Sequence, residues 1–246
     1  MAVYINCSSF IYCDDCMAMR RNLSSAAEIR DIIIADAVLT LAFTLVLSGG
    51  LGAKNLLSNF EYVLPMAALG VSLSFVLHEL MHKFVAQHYG AMAEFRTSPF
   101  GLAITLVTGF LGFLIGIPGA TYIYSQSFTK RQNGIVSLAG PATNLAIFLV
   151  FLIVRLSLPA SSTSYLASAA SFVIFISLLL AFFNMLPIFP LDGSKVLAWN
   201  WKIYLVLMVA IFLLLVVFAS AIISIYSILF MLVIAAFFSL MYRRVL

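Results

Sequence analysis

The feature that most constrains this chain is an apolar run from about Tyr62 to His88 that carries His78, Glu79 and His82 near its end. A run of that length and apolarity forms a helix through a bilayer, because lipid offers no partner for backbone N–H and C=O groups. Charge is costly at such depth, so ionisable side chains there mark function. The three residues read His-Glu-x-x-His. On a helix, His78 and His82 fall one turn apart on one face. Two imidazoles so placed can hold one zinc ion, and Glu79 beside them can act as general base towards a zinc-bound water. The same pattern also arises by chance in soluble helices, so the metal reading depends on a third ligand.

The rest of the chain repeats the apolar theme. It is 64% hydrophobic and 9% charged over 246 residues, with a mean hydropathy of +1.14, which indicates an integral membrane protein. Residues 32–51, 134–158 and 165–189 each read as a further span, with Asp36 at the interface. Residues 203–242 are too long for one crossing of ~20 residues and read as two C-terminal spans. Residues 1–31 are polar, lack the apolar core of a signal peptide and read as a cytoplasmic tail. Cys7, Cys13 and Cys16 lie there without a fourth ligand nearby and read either as reduced thiols in a flexible segment or as a fragment of a zinc-binding knuckle. The net charge of +4 reports orientation in the membrane, not nucleic-acid binding.

Two further stretches carry polar groups at membrane depth. Gly140-Pro141-Ala142-Thr143-Asn144 places a proline and an amide within a span. Asn184 to Gly193 ends another span with Pro187 and Pro190, leaving Asp192 on unwound backbone. If Asp192 joins His78 and His82 at one metal, the two helices that bring them must run in the same direction. Residues 134–158 then supply the one crossing between them, and residues 95–133 cannot span. That stretch, rich in glycine with β-type runs such as Ile104 to Thr108, reads as a membrane-dipping β-hairpin. The basic residues agree. With 95–133 not spanning, one face receives Arg20, Arg21, Arg30, Lys83, Arg96, Lys130, Arg131, Lys195, Lys202, Arg243 and Arg244, and the other only Lys54 and Arg155. The rich face is cytoplasmic. The expected fold is therefore all-α and polytopic: six transmembrane helices with a short membrane-associated β-hairpin between the second and third, both termini and the site side being cytoplasmic. A polar tail (1–31) precedes a six-span membrane domain (32–246).

His78-Glu79-Leu80-Met81-His82 with Ala86 and Gly90, Gly140 to Asn144, and Asn184 to Gly193 together resemble the site-2 protease family of intramembrane zinc metalloproteases. The resemblance covers residues 62–196, the expected protease core, and Ser194 departs from a glycine often found there. It implies one zinc ion per chain held by His78, His82 and Asp192, with Glu79 catalytic. It also implies a substrate that is a single-span transmembrane protein, cut within the bilayer. Asn144 is then a candidate donor to the oxyanion or substrate, or else a capping residue near Pro141. Asn184 is a candidate for tying down the Asp192 loop. The alternative is a membrane metal-binding or transport protein that uses the same histidines.

Overall fold

The structure, a computed structural model, describes residues 1–6, 24–49, 55–114, 116, 118–125, 128–159 and 161–219. Helices dominate. α1 (Ala26–Leu47) opens at Ser25, whose hydroxyl accepts from the Glu28 N–H. α2 (Leu56–Val71) passes through a π-helical turn (Ser72–Val76) directly into α3 (Leu77–His88), so the His-Glu-x-x-His segment closes one long rod. α4 (Pro99–Phe110) is short, and α5 (Lys130–Leu156) opens with a Thr129/Gln132 capping box. α6 (Tyr165–Asn184), α7 (Asp192–Trp199) and α8 (Trp201–Ala219) follow.

Among the described residues, four helical stretches are long and apolar enough to cross a membrane: Leu56–His88, Lys130–Leu156, Tyr165–Asn184 and Trp201–Phe218. α1, expected as the first span, carries Glu28, Arg30, Asp31 and Asp36 and is not among them. The second C-terminal span falls in 220–246, outside the described residues. α6 is the central helix, with Val173, Ile176, Leu178 and Phe182 buried against α2, α5 and α8. α5 instead exposes Leu149, Val150, Ile153 and Leu156 along its outer face, the apolar exterior that lipid requires.

The strands gather at one end. β2 (Met92–Thr97) pairs antiparallel with β3 (Gly119–Ser125), and β1 (Ala2–Asn6) pairs parallel with the other edge of β3. Two expectations change here. The run Ile104 to Thr108 is helical, not a strand. Ser98 caps α4, Pro99 occupies its first turn, and the hydroxyls of Thr105 and Thr108 donate back to carbonyls four residues earlier, which reconciles β-branched residues with helix. At 12 residues α4 is too short to cross a bilayer. The second change is at the start of the chain, where residues 2–6 are not loose tail but the third strand of the sheet. Cys7, Cys13 and Cys16 lie outside the described residues.

Candidate metal centre

α3 and α7 carry the candidate ligands to one point, and α5 closes over them. His78 Nε2 lies 3.0 Å from His82 Nε2 and 3.4 Å from Asp192 Oδ2, and His82 Nε2 lies 3.1 Å from the same oxygen. All three side chains are buried. Their outward nitrogens show which atoms are free to ligate. His82 Nδ1 lies 2.8 Å from the Val136 carbonyl, so Nδ1 holds the proton and donates it, leaving a lone pair on Nε2. His78 Nδ1 lies 3.2 Å from the Asn144 amide nitrogen, while the Asn144 oxygen is buried with no partner. A half-turn of that amide lets the oxygen accept from His78 Nδ1–H, which frees the His78 Nε2 lone pair and leaves the Asn144 NH2 group able to donate elsewhere.

Three acceptors then face one another at hydrogen-bond range with no proton between them. Such a cluster repels itself unless a cation lies among its members. Zinc with ligand bonds of about 2.0–2.1 Å sets neighbouring tetrahedral donors about 3.3 Å apart, and the observed separations bracket that spacing. The donor set fits zinc, and the three residues form the one group of this kind among the described residues.

Glycine lets the elements approach. A Cβ built on Gly140 would lie 2.5 Å from Nε2 of both His78 and His82, so α5 can cover the histidines only with hydrogen at that position. A Cβ on Gly193 would run into the Met185 carbonyl, so the turn that seats Asp192 at the start of α7 also needs glycine.

Glu79 is buried beside the cluster. Its Oε2 accepts from the Thr121 hydroxyl at 2.8 Å, and its Oε1 accepts from the Met1 amino group at 2.6 Å. β1 runs on from there along the site. The Ala2 N–H donates to Asp192 Oδ1 at 3.0 Å, and Lys195 Nζ donates to the Ala2 carbonyl.

Sequence reasoning did not single out Thr121, Lys195 or residues 1–2. Lys195 had a visible signal, a cation one helical turn after Asp192. Thr121 had none, since only the fold brings β3 to Glu79. Asn184 donates to the Leu180 carbonyl at 2.9 Å within its own helix.

A membrane protein with a buried His-His-Asp cluster and a glutamate next to the first histidine belongs chemically with zinc hydrolases. Three relatives bear zinc metalloprotease names. They are MJ0611 of Methanocaldococcus jannaschii, 43% identical over 58% of this chain and 74% of its own length; YwhC of Bacillus subtilis, 32% identical over 55% and 68%; and Rip2 of Mycobacterium tuberculosis, 31% identical over 55% and 57%. The chain belongs to the site-2 protease family and is a zinc metalloprotease. No family profile and no solved structure matches it.

Proposed function

We propose that this protein is an intramembrane endopeptidase that cuts transmembrane segments of single-span membrane proteins. The observation that carries this reading is the convergence of His78, His82 and Asp192, with Glu79 adjacent, at the point where an extended strand meets the helices. His78, His82 and Asp192 would hold the zinc. When bound, zinc supplies a Lewis acid that polarises a carbonyl and makes water acidic near neutral pH.

The remaining work falls to the chain's own side chains. Glu79 takes the proton of the attacking water and returns it to the leaving amine. Thr121 fixes Oε2 of Glu79, which leaves Oε1 facing the slot that β1 fills. The Met1 nitrogen at 2.6 Å from Oε1 marks the reach from this carboxylate to the nitrogen of an extended chain. Asn144, with its oxygen on His78, has its NH2 group for the carbonyl oxygen under attack.

A substrate helix must unwind, because its carbonyls are otherwise hydrogen-bonded and screened. The β-type run Ile104 to Thr108 is helix and offers no strand edge, so β3 takes that part. The unwound segment would pair with β3 where β1 does now, its backbone beside Asp192 and Glu79.

Six spans with cytoplasmic termini suit this reading. In that topology the site sits near the cytoplasmic ends of α3 and α6, which shortens the path of water. Glu79→Gln tests the core of it. The variant should keep about one zinc per chain and lose cleavage of a model transmembrane substrate in detergent. Cleavage at the parent rate would exclude Glu79 as the base.

A further inference from the structure

Lys195 has no part in the chemistry above, yet it is placed as though it should. Its ammonium is buried on the first turn of α7, 3.8 Å from Asp192 Oδ1. It donates to the Pro190 carbonyl at 2.8 Å and to the Ala2 carbonyl of β1. A buried ammonium is costly unless its protons have partners, and one of these partners lies on a strand that a substrate would replace.

The pattern around Ala2 is specific to an extended backbone. In a parallel ladder, alternate residues turn both backbone groups towards the neighbouring strand, and the residues between turn both away. Ala2 turns its groups away from β3. Its N–H meets Asp192 Oδ1 and its C=O meets Lys195, two side chains three positions apart on α7. β3 therefore holds one edge of the strand while Asp192 and Lys195 hold the other. Asp192 can do this while ligating, because Oδ2 faces the histidines and Oδ1 does not. A helical segment could not satisfy this pair, since its N–H and C=O groups are bonded within the helix.

We propose that Lys195 is a substrate-binding residue whose ammonium takes a backbone carbonyl of the unwound segment, in the place now held by the Ala2 carbonyl. This rests on the protease reading and deepens it, because it assigns this chain a side chain that selects extended backbone irrespective of sequence.

The test compares the parent with Lys195→Met, in the full chain, on a quenched-fluorescent single-span substrate in detergent. Zinc content, melting temperature, KM and kcat are measured for both. Lys195→Met should keep about one zinc per chain and raise KM by about tenfold or more, the loss of one charge-assisted hydrogen bond. A series of substrates with one backbone carbonyl at a time replaced by thiocarbonyl, a weaker acceptor, supplies the readout that a structural role would not move. At one position near the cut, the replacement should raise KM for the parent and leave Lys195→Met unchanged. Loss of zinc with unchanged KM in the residual activity would overturn the proposal and make Lys195 a support for Asp192. So would a parent-like KM in Lys195→Met. If the variant does not fold, the parent decides alone, and a thiocarbonyl series without effect at any position overturns the proposal. Failure of the protease reading looks different: the zinc-loaded parent would then cleave no single-span substrate at all, and no KM could be read for either form.

Discussion

Gly140→Ala offers the sharpest test of the site, because the structure fixes the clash and names the atoms. The added methyl would lie 2.5 Å from Nε2 of His78 and of His82, where ordinary contact begins near 3.4 Å, so roughly 0.9 Å has to be found. Those two nitrogens are the ones turned towards the metal position, which makes their displacement a displacement of the ligand set. Metal sites tolerate about 0.2 Å in ligand distance, so the strain cannot be absorbed with zinc in place. If α5 retreats instead, overpacking costs about 1–3 kcal/mol of stability and moves Asn144 away from His78. The expected outcome is a fall in zinc affinity of about a hundredfold or more, equal to about 3 kcal/mol, with helical content unchanged. Zinc retained per chain after dialysis against a competing chelator measures the first, and far-ultraviolet circular dichroism the second. A Gly140→Ala protein that holds about one zinc per chain against that chelator and cleaves like the parent would refute the ligand geometry.

Two other substitutions probe the supports of the site. Lys83, next to His82, is buried against Glu28, which also accepts from the Phe95 N–H and so ties α1 and β2 to the metal helix. Glu28→Gln leaves that ammonium without a counter-charge and should cost about 3–5 kcal/mol, read as a lower melting temperature in detergent. An unchanged melting temperature would show that water reaches Lys83. Thr121→Val removes the hydroxyl that fixes Glu79 Oε2. It should lower kcat about tenfold or more while zinc content holds, because a base out of line loses efficiency before a ligand does; an unaltered kcat would mean that Glu79 needs no such support.

Much of this arrangement was legible in the sequence, for a physical reason. Ionisable groups in an apolar run have few places to go, and His82 and Asp192, 110 positions apart, are drawn together beside His78 in the structure. The glycine-proline element was visible as a break, but its purpose is spatial: Gly140 matters for what lies across from it, which spacing alone does not reveal. The run Ile104 to Thr108 misled, because β-branched residues favour strands on average, while a serine cap, a proline in the first turn and threonines bonding to their own backbone decide the local contest for helix. Thr121 and β1 were out of reach, since a parallel pairing between residues 2–6 and 121–125 has no periodicity or spacing to announce it.

The seating of β1 has a consequence for how this enzyme would be measured. Residues 2–6 are joined to the rest of the chain, so they face β3 at an effective concentration on the order of millimolar, whatever the protein is diluted to. Any incoming segment competes with that standing local supply. An observed KM is then a ratio of two occupancies of one edge, and a substrate tethered in the same bilayer, or in the same complex, gains more than its contacts alone would predict.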